Sequence, residues 1–186
     1  MSPAPTSRRF ELKKLLDEYT ATSAETRYRA EMVDLARSPD DVLSAYWYSP
    51  GHFTASAFVV DAPRERLLLV HHRELDVWLQ PGGHIEPGDA TMLSAAEREV
   101  VEETGVQGLV AVEDRLFDID VHRIPAHGGT PPHFHHDLRF LFSTSHDALA
   151  HAEEVKDARW VPLAELPAYT PDQSVRRAAR KIISAG

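Results

Sequence analysis

Three glutamates near the middle of the chain have the spacing of a metal-binding cluster. Glu99, Glu102 and Glu103 are placed so that, on a helix, their carboxylates lie on one face within one turn. Gly105 is a typical helix-ending residue, which puts these anions in the last turn, where the helix dipole favours cations. Mutual repulsion of the carboxylates and the helix dipole both disfavour this arrangement. A hard divalent cation such as Mg²⁺ or Mn²⁺ would therefore stabilise it.

The residues around the glutamates support the same chemistry. Arg98 directly precedes them, and its planar guanidinium could hold one or two of their carboxylates in position. Gly82 and Gly83 lack side chains, so their backbone could approach an ion or a phosphate closely. A solvated acidic helix end after a glycine turn is the alternative, and the combination of all these features in one segment argues against it.

This segment resembles the signature of the Nudix hydrolase family. The signature has a glycine, five residues, a glutamate, seven residues, and then Arg-Glu-apolar-any-Glu-Glu-any-Gly-apolar. Residues 98–106 match every fixed position of the second half. Counted from Gly83, the first half departs twice, because Asp89 replaces the glutamate and eight residues separate it from Arg98. One extra residue at the helix entry need not disturb the glutamate face, but the role of Asp89 is left open.

Three further segments resemble an actinobacterial-type subgroup of this family, so that the resemblance covers roughly residues 50–184. They are Gly51-His52-x-Thr54-Ala55-Ser56-Ala57, Trp78-Leu79-Gln80-Pro81-Gly82-Gly83-His84 and His135-x-Asp137-x-Arg139-Phe140. The motifs do not define the substrate, since specificity in such folds lies in the loops. Nucleoside triphosphates, nucleotide sugars, dinucleoside polyphosphates and ADP-ribose are all compatible with them.

The resemblance implies a role for each matching residue. Glu99, Glu102 and Glu103 would be metal ligands, together with the carbonyl group of Gly83. Arg98 would orient the three glutamates. Arg98 and the glutamates together would form the catalytic group. The expected cofactor is Mg²⁺, with Mn²⁺ as an alternative.

The family often recruits one more acid shortly before a tryptophan-containing strand. Glu154 precedes Trp160 in this way and is the expected additional catalytic residue, with Glu153 as the second choice. An ordinary loop acid is the alternative interpretation. The implied reaction is hydrolysis of a phosphoanhydride bond in a nucleoside diphosphate derivative, with water attacking phosphorus.

Two rival functions are weighed against this hydrolase. A Nudix-like ligand-binding or regulatory module would bind without turnover, but such a module has no need for the full set of charged residues. Isopentenyl diphosphate isomerases share the fold and use a catalytic cysteine, whereas this chain has no cysteine.

Histidines form a second feature that could carry chemistry. The chain has 11, and five of them lie between His122 and His136. Residues two apart on a strand share a face. We therefore expect a substrate-binding group composed of His84, His133, His135, Asp137 and Arg139. Structural hydrogen bonding, or a second metal site made of imidazoles and a carboxylate, are the alternatives.

Composition limits the class of protein. Residues 51–120 hold 14 acidic and five basic side chains, which accounts for the whole net charge of −9. An acidic chain without a Lys/Arg-rich run is a poor binder of nucleic-acid polymers. The sequence shows neither a signal peptide nor an apolar run of membrane-spanning length. We expect a soluble cytoplasmic protein, and a homodimer is compatible with the sequence.

The elements that would position these residues predict an α/β fold, a Nudix-like α/β/α sandwich with a mixed sheet. Residues 1–48 would be an N-terminal helical extension and residues 49–186 the Nudix domain. Three helices are expected in the extension, the third over residues 38–47, and it could instead offer a partner surface or a lid. Beyond it we expect strands over 54–60, 66–70, 109–121, 134–142 and 158–161, and helices over 91–104 and 172–184.

Overall fold

The computed structural model describes residues 5–73, 75–150, 153 and 155–184. Its helices are α1 (Pro5–Glu18), α2 (Thr26–Arg37), α3 (Met92–Thr104), α4 (Leu166–Tyr169) and α5 (Gln173–Ser184). Its strands are β1 (Gly51–Asp61), β2 (Arg66–His72), β3 (Trp78–Leu79), β4 (Gly82–His84), β5 (Val110–Ala111), β6 (Asp118–Ile124), β7 (His133–Thr144) and β8 (Val155–Pro162).

Two long strands form the middle of a mixed sheet. β1 and β7 run parallel, with Gly51 opposite Phe134 at one end and Asp61 opposite Thr144 at the other. The other pairs are antiparallel: β2 and β4 pair with β1, β5 and β6 with β7, and β3 and β8 with β2. Every residue of β1 is buried, which agrees with a central strand covered on both faces.

Helices cover both faces of the sheet, which confirms the predicted α/β/α sandwich. One core joins α1, α2 and α3 to the sheet and includes Leu12, Met32, Val100, Phe53 and Phe140. A second core joins α5 to the opposite face and includes Val175, Ile182, Phe58 and Leu67. Phe53 and Phe58 belong to different cores because residues an odd number of positions apart on a strand face opposite ways.

The predicted third helix of the extension is wrong. Residues 38–47, all of which the structure describes, form turns. The carbonyl of Val42 accepts a hydrogen bond from the amide of Phe53 on β1 at 2.8 Å, so it is not used in a helix. Val42 and Leu43 are buried, as the apolar pattern predicted, whereas Tyr46 is 83% exposed.

The predicted strand over 109–121 is divided into β5 and β6. The amides of Val112 and Phe117 donate hydrogen bonds to the carbonyls of Leu141 and Arg139, which lie only two positions apart on β7. The chain between Val112 and Phe117 is longer than the stretch of β7 it faces. It therefore loops away from the sheet and interrupts the strand.

A buried carboxylate joins the N-terminal segment to the C-terminal helix. Glu25, just before α2, is 0% exposed and accepts hydrogen bonds from the hydroxyls of Thr22 at 2.6 Å and Tyr19 at 2.8 Å. The ammonium group of Lys181 on α5 donates to the same carboxylate and lies 2.8 Å from Asp118 of β6. Burial raises the pKa of Glu25, but the bonds from Lys181 and Thr22 outweigh it and lower the pKa to about 2.

The extension and the sheet share one hydrophobic core, since Leu12 and Met32 belong to the same cluster as Phe53. Whether the chain divides into two folding units at residues 48 and 49 stays a prediction. Within the described ranges, no helix combines the length and the apolar character needed to cross a bilayer.

Replacement of Glu25 by glutamine is expected to destabilise the protein. Breaking a buried ion pair by removing one partner typically costs about 3–5 kcal/mol, because the remaining charge stays buried. The pKa of Glu25 is lowered from 4.5 to about 2, so its contribution is present above pH 4.5 and is lost as the pH falls toward 2. Urea unfolding of the wild type and Glu25→Gln should thus differ most near neutral pH, and the difference should shrink toward pH 2.

Glu18→Gln provides the matched control, because Glu18 is an exposed acid of the same segment whose ion pair, among the described residues, is an i,i+4 contact with Lys14 at 3.9 Å. Its free energy of unfolding should stay within about 0.5 kcal/mol of the wild type at every pH. Equal stability of Glu25→Gln and wild type at neutral pH would contradict the assigned role.

Candidate active site

Helix α3 has defined ends that fix where its glutamates lie. At its start, the Thr91 hydroxyl accepts a hydrogen bond from the Ser94 amide at 3.0 Å, and the Ser94 hydroxyl accepts one from the Thr91 amide at 2.9 Å. At its end, Gly105 adopts the left-handed conformation with φ of 68°. Glu99, Glu102 and Glu103 all lie within the helix that these ends define, so the extra residue of the signature leaves them on one turn.

The Arg98 guanidinium stands at the centre of the acidic cluster. Its Nη1 donates to Glu99 at 2.9 Å and to Glu102 at 2.7 Å, and its Nη2 donates to the carbonyl of His84 at 2.8 Å. Its Nε and Nη2 also bind both oxygens of Asp89, at 3.0 and 3.1 Å. The bonded Asp89 carboxylate raises the pKa of Arg98, against the opposing effect of burial. Arg98 thus remains a cation and holds two of the three glutamates.

The structure shows the contacts of Asp89, whose role the sequence left open. Asp89 is 6% exposed, and besides its bidentate contact with Arg98 it accepts a hydrogen bond from the amide of Glu86 at 2.7 Å. It therefore closes the loop between β4 and α3 and fixes Arg98 from the side opposite the glutamates. Its spacing of three residues from Glu86, in a Pro-Gly loop, was the signal that could have indicated this local turn.

The glycines bring the backbone of β4 against the glutamates. The amide of Gly82 donates to Glu103 at 3.0 Å. A Cβ atom at Gly83 would lie 2.8 Å from the carboxylate of Glu99, so glycine lets the β4 backbone approach this carboxylate closely. Burial raises the pKa of Glu99, while Arg98 acts in the opposite direction. Glu99 and Glu103 therefore lie against β4, and their carboxylates, with that of Glu102, are oxygen donors of the kind that suits Mg²⁺ or Mn²⁺. A role of the Gly83 carbonyl as a ligand stays a prediction.

The structure does not test the expected additional acid. Glu154 lies outside the described residues. Glu153 is exposed, and its carbonyl accepts a hydrogen bond from Arg73 at 2.8 Å. The catalytic role of Glu154 stays a prediction.

Four histidines meet beside the glycine loop. His84, His133 and His135 were expected in one group, and the structure adds His52 of β1. The His52 ring centroid lies 5.1 Å from those of His84 and His133 and 4.8 Å from that of His135. His52 was not predicted in this group because the parallel pairing that places it opposite His135 joins distant parts of the chain.

Burial lowers the pKa of three of these histidines, His52, His84 and His135. Burial, reinforced by the neighbouring imidazoles, lowers the pKa of His135 to about 2. Burial likewise lowers the pKa of His52 to about 4, although its bond to the Trp47 carbonyl opposes the shift. The pKa of His84 is also lowered, chiefly by burial. His52 and His135 therefore carry no positive charge for a phosphate group near pH 7.

The remaining two residues of the predicted substrate-binding group, Asp137 and Arg139, pair with each other. Asp137 accepts hydrogen bonds from Thr54 at 3.0 Å, Ser56 at 2.7 Å and Arg139 Nε at 2.8 Å. Arg139 is 2% exposed and also lies 3.4 Å from Asp118. These contacts place both side chains inside the protein, on the same strand face as the histidines. Their direct contact with a substrate stays a prediction.

Comparison with known proteins identifies the family. A model of the NUDIX domain matches residues 50–184. The chain is 28% identical over 120 residues to a provisionally named 8-oxo-dGTP diphosphatase of Bacillus subtilis (strain 168), covering 63% of this chain and 72% of that protein. Other curated relatives are matched over about half of their own length, 51% and 54% in two cases.

Solved structures show the same fold at low sequence identity. The E. coli dihydroneopterin triphosphate pyrophosphohydrolase superposes with a TM-score of 0.56 at 19% identity, covering 75% of this chain and 99% of that one. The NUDIX domain of Shewanella oneidensis NrtR, crystallised with ADP ribose, has a TM-score of 0.54 at 18% identity, covering 89% and 99%. With the family model matching most of the chain, these findings confirm the predicted family: the chain belongs to the Nudix hydrolases.

Proposed function

We propose that the protein hydrolyses a phosphoanhydride bond in a nucleoside diphosphate derivative and that it requires Mg²⁺, or Mn²⁺ in its place. Membership of the Nudix hydrolases supports the reaction class. The observation that carries the proposal is the position of Arg98 between Asp89 and two glutamates of α3, one of which, Glu99, lies against Gly83 of β4. This arrangement keeps several carboxylates close together without neutralising all of them.

The carboxylates of Glu99, Glu102 and Glu103 and the carbonyl of Gly83 would hold the cation. When bound, Mg²⁺ would neutralise phosphate charge and lower the pKa of the attacking water. Arg98 keeps Glu99 and Glu102 in fixed positions, and the amide of Gly82 does the same for Glu103. Such fixed positions reduce the reorganisation needed at the moment of reaction.

The proposed reaction forms one bond from water oxygen to phosphorus and breaks one anhydride bond. A glutamate accepts the proton of the water, either in the cluster on α3 or at Glu154. The departing phosphate oxygen takes the bridging electron pair. Products are two phosphate-bearing fragments of the nucleotide derivative.

The substrate class is inferred from the names of the compared proteins. The names of the compared proteins include 8-oxo-dGTP, dihydroneopterin triphosphate and ADP ribose, all of which contain a phosphoanhydride bond. We place the substrate against the strand face beside the glycine loop. The residues proposed to line it are His84, His133, His135, Asp137 and Arg139.

Binding without turnover is the alternative function. The NrtR domain, a structure of this fold, was crystallised with ADP ribose, so binding alone would also suit the fold. A cytoplasmic location, a homodimer and the absence of nucleic-acid polymers as partners stay predictions. Product release from a nucleotide panel separates an enzyme from a binder.

Activity on such a panel is expected to require Mg²⁺ or Mn²⁺ and to depend on the glutamates. The acidic cluster repels an anionic substrate until a cation is bound. Glu103→Gln keeps the side-chain shape but removes the charge, and we expect it to lower kcat/KM by at least about 100-fold, as does Glu102→Gln. Phosphate release and product identification, with and without metal, provide the measurement.

Glu97→Gln is the matched control, since Glu97 is an exposed acid of the same helix outside the cluster. It should retain wild-type activity. Full activity in Glu103→Gln, or turnover after complete chelation of divalent metal, would refute the proposal. Tight nucleotide binding with no turnover in the wild type would favour the alternative function.

Asp89 is expected to act as a positioning residue. Asp89→Asn loses the bidentate carboxylate that holds Arg98, so the glutamates become less well fixed. Removing such an outer partner of a metal site typically lowers metal affinity or activity by about 10- to 100-fold. We expect the Mg²⁺ concentration for half-maximal activity to rise and kcat to fall. The effect on the free energy of unfolding should be smaller than the effect on activity.

Glu86→Gln tests whether the effect belongs to Asp89, because the Glu86 side chain is exposed and the hydrogen bonds between Glu86 and Asp89 use the Glu86 backbone amide and carbonyl. Its Mg²⁺ requirement should match that of the wild type. An unchanged Mg²⁺ requirement in Asp89→Asn would show that Arg98 does not need this partner.

A further inference from the structure

We infer that His52, His133 and His135 form a second metal site, separate from the carboxylate cluster, for a divalent transition-metal ion such as Zn²⁺. One ring nitrogen of each residue lies within 4.8 Å of the corresponding nitrogens of the other two. Two of the three residues, His52 and His133, are buried. Three convergent imidazoles are a ligand set found in three-histidine zinc sites.

The hydrogen bonds of two histidines fix the nitrogen that would bind the metal. His52 Nδ1 lies 3.0 Å from the carbonyl of Trp47, and His133 Nδ1 lies 2.9 Å from the carbonyl of Pro131. A carbonyl can only accept, so each Nδ1 carries the proton and each Nε2 presents a lone pair. Metal-binding histidines typically donate their other N–H to a carbonyl or carboxylate in this way.

The lone pair on Nε2 of His52 has no hydrogen-bond partner among the described residues. Within the described ranges, the Nε2 atom of His52 is buried and makes no hydrogen bond. An unsatisfied buried acceptor typically costs about 1–3 kcal/mol. A bound cation would remove this cost, because it accepts the lone pair directly.

The spacing of the other two nitrogens fits a tetrahedral ion. His133 Nε2 and His135 Nε2 are 3.2 Å apart. Two ligands placed 2.0–2.1 Å from a tetrahedral zinc lie about 3.3 Å from each other. A direct N–H···N hydrogen bond between these rings would also fit this distance, but it would leave His52 Nε2 unsatisfied.

The strand pairing places these side chains together, and their ligand type determines which ion they suit. His52 and His135 are directly opposite each other in the β1–β7 pairing, and His133 is two residues before His135 on the same face. The three ligands are all imidazoles, which suit Zn²⁺, Co²⁺ or Ni²⁺ better than Mg²⁺. The fourth position of a tetrahedral ion would be left for water or a phosphate oxygen.

The proposed site adjoins the carboxylate cluster through His84. The His84 ring lies 5.1 Å from that of His52, and its backbone carbonyl accepts a hydrogen bond from Arg98 at 2.8 Å. A metal at the histidines would thus lie next to the glycine loop, along the same strand face as the proposed substrate. This inference does not require that the protein hydrolyse nucleotides.

Binding of Co²⁺ and Zn²⁺ to the full-length, chelator-stripped protein in excess Mg²⁺ tests the inference. Excess Mg²⁺ occupies the carboxylates, and four-coordinate Co²⁺ has intense visible absorption that six-coordinate, oxygen-bound Co²⁺ lacks. We expect one Co²⁺ per chain with these bands, displaced by one equivalent of Zn²⁺. Calorimetric titration gives the stoichiometry and the affinity.

Variants then locate the ion. Loss of an outer-shell partner typically weakens a metal site by about 10- to 100-fold, so loss of a ligand in His135→Gln should weaken Zn²⁺ binding by at least about 100-fold and abolish the bands. His122→Gln, whose ring lies 5.6 Å from that of His135, should retain them. Glu103→Gln should also retain them, because it alters only the carboxylate cluster.

Thermal unfolding and NMR measurements test the same inference if a variant folds poorly. Zn²⁺ should raise the Tm of the wild type, since a ligand that binds only the native state stabilises it, and should not raise that of folded His135→Gln. If His135→Gln does not fold, Zn²⁺ titration of the wild type should shift the ring NMR signals of His52, His133 and His135 but not that of His146. Absent Co²⁺ bands, or bands lost only in Glu103→Gln, would overturn the inference.

Discussion

The parallel pairing of β1 with β7 is the constraint on which both proposed sites depend. On one face of these strands lie apolar residues such as Phe53, Ala55 and Phe140. On the other face, His52 stands opposite His135 and precedes a run of polar residues. Because side chains alternate along a strand, a register shift of one residue would turn the polar set into the apolar core. The buried apolar face therefore fixes the position of every functional side chain on these strands.

Buried charges connect this polar face to both ends of the chain. The contacts run from Glu25 to Lys181, then to Asp118, Arg139 and Asp137, each within the distance of an ion pair. Asp137 then accepts a hydrogen bond from Gln80 at 3.3 Å, two residues before the glycine loop. Burial of charge is tolerated only when partners are supplied, so these side chains hold one another in place. The loop that faces the glutamates is thereby tied to the N-terminal segment.

Local patterns predicted the parts of the site that lie close in sequence. The spacing of the glutamates and the glycine that ends α3 depend on neighbouring residues, and the structure places both as the patterns indicated. The strands predicted over 54–60 and 134–142 lie within β1 and β7. His52 and Asp89 were not assigned, because the contact of His52 with His135 depends on pairing across the sheet and that of Asp89 on a loop closing onto Arg98. The prediction of a third helix was wrong for a similar reason, because the carbonyl of Val42 accepts a hydrogen bond from Phe53 of β1.

The charges of the pocket indicate how an anionic substrate could be accommodated. His52 and His135 are neutral near pH 7, since their pKa values are lowered to about 4 and about 2 by burial. Arg139 is buried among Asp118, Asp120 and Asp137, and Arg98 is engaged by carboxylates. None of these basic groups provides uncompensated positive charge for a phosphate. A divalent cation bound as proposed would supply the positive charge and would let an acidic segment serve an anionic substrate.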